Sequence, residues 1–311
     1  MTTFSHPLFS ATRYASFRPL YPASLYTQYL LPYHQGARTQ LLDLGCGPGT
    51  VTRPLSSYFT HTLGTDPSSQ MLATARSLTP LEEYPTISYA CCPAEQIPLP
   101  DASVDMAVAA QAAHWFDQAK WWEEMARVVR PGGTVAIWGY RDFLFPRFPK
   151  ASLVLRRYTY GEEKLGPLWQ QPGRAVVEGR YRDVKPPPQD WEGVKRLEFE
   201  PEFEVPAGEE EEREVRRPVE KDHETEETGQ MMGRRLKLRE VEEYVRTWSS
   251  VHKWVTENPG VKRLEQVGDG FGRGDIVDEM FFEMAKVEGW ESKEEEVDIA
   301  WGHGILLARK K

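Results

Sequence analysis

The sequence predicts an α/β chain built on a mostly parallel sheet with helices on both faces, and three stretches predict it. Leu41–Thr50, LLDLGCGPGT, is an apolar run that ends in Asp43 and breaks at Gly45, Gly47 and Gly49 before an amphipathic segment. That is the pattern of a buried parallel strand, a tight turn and a helix start. HTLGTD then ends a second short run in Asp66, about twenty residues past the glycines, the spacing at which nucleotide-binding α/β folds grip a ribose. Finally, Pro131-Gly132-Gly133 stops an amphipathic segment just before the apolar run Thr134–Tyr140. A helix that must reverse sharply into a central strand needs such a stop.

The elements follow in order. Residues 1–35 carry Arg13, Tyr14, Phe17, Arg18, Pro19, Tyr21 and Pro22 ahead of an apolar patch, Leu25–Leu31, which reads as a helix on the sheet with its entry fixed by the prolines. Thr52–Tyr58 is the first crossover helix, its start confined by Pro54. Pro67–Met71 opens the next, with Ser68 or Ser69 as cap. Ile87–Cys92 is the third strand, followed by Pro93, Ala94 and Glu95. After a turn at Asp101–Ser103, Val104–Ala110 is the fourth strand. Gln111 and Ala112 end it on the edge where open α/β sheets hold ligands. His114, Trp115 and Phe116 come next, then a helix over WWEEMARVVR.

From Arg141 the pattern changes. DFLFPRFP reads as a proline-broken linker, and GEEKLGPLWQQPGR (161–174) has too many breakers for a helix. Residues 191–206 alternate, with Val194, Leu197, Phe199 and Phe203 among charges, and predict a strand or hairpin. The charge run 207–229 lacks the apolar content to bury itself and reads as a solvated loop. Over 236–254, Leu238, Val241, Val245, Trp248 and Val251 share one helical face. One or two helices are expected in 261–288, and 297–311 reads as a last strand or strand pair with Gly302 and Gly304 at a bulge. The expected organisation is therefore an N-terminal helical segment (1–35), a core (36–142), an inserted helical lid (143–295) and a return to the sheet (296–311).

Composition narrows the function. The 311 residues carry a formal net charge of −9 and a pI near 5.4, the wrong sign for holding a phosphate backbone. Three cysteines, two of them adjacent, offer neither a disulfide framework nor a metal-ligand spacing, so no metal is expected. No stretch reads as a signal peptide or a membrane span. A cytoplasmic protein with a small-molecule substrate, no nucleic-acid or membrane partner, and a monomeric or homodimeric state is the expectation.

The order D-x-G-x-G-x-G departs from the G-x-G-x-x-G fingerprint and resembles motif I of the class I S-adenosylmethionine (AdoMet) methyltransferases. The resemblance implies a Rossmann-like, seven-stranded, mostly parallel sheet with a helical lid. It also implies AdoMet as cofactor, its methionyl end against the turn of Gly45, Cys46, Gly47 and Gly49, with Asp43 near the amino group. Asp66 can accept from both ribose hydroxyls at once, with Pro67 beside it. Met71 matches the position that packs on adenine. Relatives often place Asp or Ser where Pro93 stands; proline cannot contact the adenine amino group, which leaves the Ala94 backbone or Glu95. Gln111 completes the set. Y-x-x-x-R-P-x-Y-P, with Tyr14 and Arg18, resembles a leader that folds over the cofactor.

LLDLGCGPGT, AHWFD, AIWGY, LGPLWQQPGR and EEYVRTWSSVHKW together resemble the fungal trans-aconitate and cantharidin-resistance methyltransferases, from about Phe4 to Trp254 and again in the last strand. Such enzymes make methyl esters of small di- and tricarboxylic acids. A carboxylate is ionised near neutral pH, so this chemistry needs alignment, an apolar cavity and cations more than a base. Tyr14, Trp115, Trp138 and Tyr140 are candidates around the sulfonium. Arg174, Arg246 and His114 are candidates for gripping carboxylates, with Trp169 and Trp248 in the acceptor wall. Two other functions compete: O- or C-methylation of a secondary metabolite with His114 as catalytic base, and a non-catalytic methyltransferase-like regulator. The intact Asp43, glycines and Asp66 weigh against the regulator.

Overall fold

A computed structural model describes residues 11–201, 225–228, 231–264 and 269–311. Its strands are β1 (Gln40–Leu44), β2 (His61–Thr65), β3 (Ile87–Ala90), β4 (Val104–Ala110), β5 (Val129–Leu144), β6 (Trp191–Phe199), β7 (Thr225–Thr228), β8 (Met232–Lys237) and β9 (Glu296–Lys310). All join one sheet in the order β3-β2-β1-β4-β5-β9-β6-β7, with β8 on β9. β1 to β5 are mutually parallel. β9 runs antiparallel between β5 and β6. The expected seven-stranded core is the path from β3 to β6; β7 and β8 are additions beyond it.

β4 is buried almost throughout, which is why it reads as a continuous apolar run and not an alternating one. Helices cover both faces. On one face a π-helical stretch, Leu25–Leu30, runs into α2 (Leu31–Tyr33) and packs with Leu55 of α3 (Thr52–Ser56) over Met106, Val108 and Trp138. On the other, α5 (Gln118–Val128) sets Trp121, Trp122 and Met125 against Ala107, Ala109 and Val135. α1 (Ala11–Phe17) lies against α4 (Ser69–Ser77). Ser68 caps α4 by accepting from the Met71 N–H at 3.3 Å, which settles the choice between the two serines.

The region after β5 builds a third cluster from α6 (Pro149–Tyr160), α8 (Leu238–Val245), α9 (Ser249–Glu257) and α10 (Ile276–Glu288), while α7 (Gly173–Glu178) adds Val177 to the cluster under α5. Three differences from expectation stand out. The proline-rich linker is short: β5 runs on to Leu144, and Pro149 then starts α6, where a missing N–H costs nothing. The single helix expected over 236–254 is two, broken at Arg246–Trp248, although all five residues of its apolar face are buried as expected. Residues 191–199, assigned to the lid, are a strand of the core sheet. Of the acidic run, only Thr225–Thr228 is described, as β7; the rest of it, with Phe203, lies outside the described residues.

The expected irregularity near Gly302 exists, on the partner strand. Tyr140 pairs with His303 and Phe143 with Trp301, so Arg141 and Asp142 together oppose Gly302. Such a bulge re-aims side chains, and here it brings both residues to a cavity wall.

Candidate active site

Gly45, Gly47 and Gly49 take φ of +60°, +53° and +75°, a region closed to most side chains. A Cβ at Gly45 would stand 2.6 Å from the Ala112 Cβ, so glycine lets the loop after β4 close on the turn. Gly47 has nothing within 4 Å of its missing Cβ and lines a cavity. Its N–H donates to Asp66 Oδ2 at 2.9 Å, and the Ser68 N–H donates to Oδ1 at 2.8 Å. Burial pushes the Asp66 carboxyl up, and these two N–H bonds pull it back. Each oxygen keeps accepting capacity.

That cavity spans about 800 Å3, its solvent-open mouth included, and is lined by Gly45, Gly47, Asp66, Met71, Ala94 and Phe116. Pro67, Glu95 and Gln111 also line it, and Tyr14 closes it. An open backbone turn, a buried acid with lone pairs to spare and apolar walls are what AdoMet's methionyl, ribose and adenine parts require, so the residues fit the cofactor. Four residues assigned to the cofactor do not line the cavity: Arg18, described below, and three around the turn. Asp43 is buried one layer back, where it accepts from Thr52 Oγ1 at 2.6 Å and burial pushes its carboxyl up to about 7. The Cys46 sulfur lies behind the turn against Gly64, and Gly49 faces Tyr89 and Arg53.

A second cavity, about 610 Å3 with its solvent-open mouth included, shares Tyr14, Gln111 and Trp115 with the first. Gln111 makes the junction. Its φ is +50°, uncommon and strained for a non-glycine residue. Its amide pairs with the Tyr140 backbone in both directions, accepting from N at 2.7 Å and donating to O at 2.9 Å. Beyond it lie His114, Tyr140, Trp169, Arg174, Tyr244 and Trp248.

Arg18 also lines this second cavity and not the first, a correction to its assignment from the leader. Its guanidinium donates to Tyr140 Oη at 3.2 Å and the Thr247 carbonyl at 3.1 Å and lies over the Tyr14 ring, 4.7 Å from its centroid. Its Nε is buried without a partner, and no carboxylate among the described residues is ion-paired with it. Arg174 contrasts with it. It stacks 4.0 Å from the Trp169 centroid and is held by Asp142 at 2.5 Å and Glu178 at 2.8 Å. Burial alone would raise the Asp142 carboxyl, but Arg174 holds it below its ordinary value.

His114 Nδ1 lies 3.0 Å from Tyr181 Oη. Burial, with Arg174 and Arg18 nearby, pushes the imidazole down to about 3, so it is neutral at physiological pH. Tyr181 sits in a left-handed pair, Arg180 at φ +53° and Tyr181 at +61°, pinned by Arg196 donating to the Tyr181 and Val184 carbonyls.

Two expected acceptor residues lie elsewhere. Arg246 is buried among Glu242, Asp275 and Asp278 and lines neither cavity; it ties α8 to α10. Trp138 is fully buried against Tyr21 and Tyr26, because the cavity opens only beyond the end of the parallel strands. Asp142, Tyr181 and Tyr244 were missed. Tyr244 had a signal, its place on the apolar face that holds Trp248; Tyr181 had none, since only the tertiary fold brings it to His114.

Comparison with known proteins agrees with this geometry. Residues 42–137 match the family model described as a methyltransferase domain. The chain is 26% identical over 325 residues to a probable S-adenosylmethionine-dependent methyltransferase, CRG1, of Saccharomyces cerevisiae, covering 100% of this chain and 99% of that one. It is 33% identical over 174 residues to a putative methyltransferase of Dictyostelium discoideum, covering 56% and 62%. Among solved structures, a putative type II methyltransferase from Anaeromyxobacter dehalogenans superposes with a TM-score of 0.63 at 26% identity, covering 94% of this chain and 98% of that one.

Proposed function

Starting from a chain that is an AdoMet-dependent methyltransferase of the class I fold, we propose that it methylates a carboxylate oxygen of a small-molecule acid. One observation carries this reading: among the described residues, the second cavity holds cations but no free base. His114 is a weak base, and Asp142 is committed to Arg174. A phenol or carbon acid would need a proton acceptor there. A carboxylate needs none.

When bound, AdoMet supplies a methyl group on a sulfonium cation. The chain's own residues do the rest. Tyr14 and Trp115, at the junction of the two cavities, offer aromatic surface suited to a cation. Burial pushes the Tyr181 hydroxyl up, so it keeps its proton, and in this reading it is the donor to His114 Nδ1, 3.0 Å away. That fixes the Nε2–H tautomer. His114 then serves as a neutral hydrogen-bond donor to the acceptor's carboxylate, beside the cation of Arg18. The aromatic walls strip water from that carboxylate, which raises its reactivity as a nucleophile.

The test is methyl transfer to a panel of small carboxylic acids and neutral phenols. Arg18→Gln should lose about 2–4 kcal/mol in kcat/KM, tens- to hundreds-fold or more, with S-adenosylhomocysteine affinity by calorimetry nearly unchanged. A parallel fall in that affinity would assign Arg18 to the cofactor's carboxylate instead. Methylation of phenols with every acid ignored would overturn the reading.

A further inference from the structure

We infer that the acceptor is a monocarboxylic acid with an aromatic or aliphatic body, and that the cavity excludes acids that bring a second carboxylate into it. The inference rests on the carboxylate reading above and narrows it by counting charge on the cavity wall.

Three arginines line the wall. Arg174 is held between Asp142 at 2.5 Å and Glu178 at 2.8 Å. Arg141 meets Glu200 at 3.6 Å. Arg18 alone has no carboxylate ion-paired with it among the described residues, and its partners are a phenol and a carbonyl. One negative charge is therefore neutralised without disturbing the wall. A second anion would have to displace Asp142 or Glu178 from Arg174, or compete for Arg141 with Glu200, which Arg180 also holds, and a buried charge that loses its partner is strongly destabilised. Asp142 is itself part of the wall and repels a further anion. If Arg18 is drawn instead to the methionyl carboxylate of the cofactor, no free cation is left for the acceptor, and the inference falls with the Arg18→Gln result above.

The remaining surface agrees. Trp115, Val177, Tyr244 and Trp248 present rings and methyl groups, which suit an apolar body, and the polar groups beside them, Gln170, Ser249 and the tyrosine hydroxyls, are uncharged. The polycarboxylic acceptors implied by the sequence resemblance need two or three free cations, and the described residues of the wall offer one.

The test uses matched acids, hexanoate against adipate and phenylacetate against phenylenediacetate, with tricarballylate as a third case. Binding is read by calorimetry on protein loaded with S-adenosylhomocysteine, and turnover by ester formation. Each monocarboxylate should exceed its dicarboxylate partner by at least about tenfold in both readouts, with tricarballylate weakest. Asp142→Asn, which releases Arg174, should raise dicarboxylate binding relative to monocarboxylate. Preference for the di- or tricarboxylate in the wild type overturns the inference while leaving carboxylate methylation standing. So does an Asp142→Asn variant whose preference does not move. If no acid is bound or methylated, the carboxylate reading itself fails and takes the inference with it.

Discussion

The two cavities meet at Tyr14, Gln111 and Trp115, yet they are built in opposite ways. The cofactor side is largely backbone: a glycine turn, one acid held by two N–H groups, and the short segments after β2, β3 and β4. The acceptor side is long side chains from α1, the β5 bulge, α7 and the α8–α9 break, held by ion pairs. A backbone site is fixed once its strands pair. A side-chain site depends on everything behind it, so it is the half that substitution can retune without dismantling the fold.

Three substitutions would break or sharpen that contrast. The largest effect is expected at Arg246, behind the acceptor wall. Arg246→Leu leaves Glu242, Asp275 and Asp278 buried with one cation fewer, and should cost about 3–5 kcal/mol of stability in denaturant unfolding. A loss below about 1 kcal/mol would show the cluster to be slack. Next comes Asp66→Ala on the cofactor side, which should weaken S-adenosylhomocysteine binding by roughly 1–3 kcal/mol with acceptor KM little changed. Unchanged cofactor affinity would remove Asp66 from the ribose role.

The smallest effect is expected for Tyr181→Phe, which removes one hydrogen bond of roughly 1 kcal/mol. It should lower kcat/KM several-fold and let the His114 tautomers mix, as nitrogen NMR would reveal. Wild-type kcat/KM should stay level across about pH 6–8, since the His114 imidazole is neutral far below its ordinary range. An activity limb near pH 6.5 that His114→Gln abolishes would show the ring to be charged and acting as a base. On acidification the same ring works against the fold. The unfolded chain takes up its proton near 6.5 and the folded one only near 3, so this contribution to stability falls as pH drops through that window.

How much could be read from sequence follows the same division. The strand–turn–helix at Leu41–Thr50, Asp66 after β2 and the Ser68 cap are local patterns, and residues near in sequence remain near in space. Arg246 shows the failure on the other side. Its sequence neighbours Tyr244 and Trp248 reach the cavity, but it stands two residues from each, about 200° round a helix of 3.6 residues per turn. Periodicity alone points it away from their face. Trp138 and Tyr140 share one side of β5, and only the depth of the cavity mouth separates core from site. Tyr181 meets His114 through a left-handed pair that no local pattern announces.

The placement of β9 has a consequence for how the molecule is made. It is central in the sheet but follows every other strand in sequence, and β5, β6 and β8 all hydrogen-bond to it. At typical synthesis rates, β5 emerges on the order of ten seconds before β9. Through that interval β5 offers Ile137, Trp138 and their neighbours along an unpaired edge, a template for pairing with other chains. A nascent chain halted before Glu296 should therefore depend on chaperones to stay dispersed, however complete its cofactor turn already is.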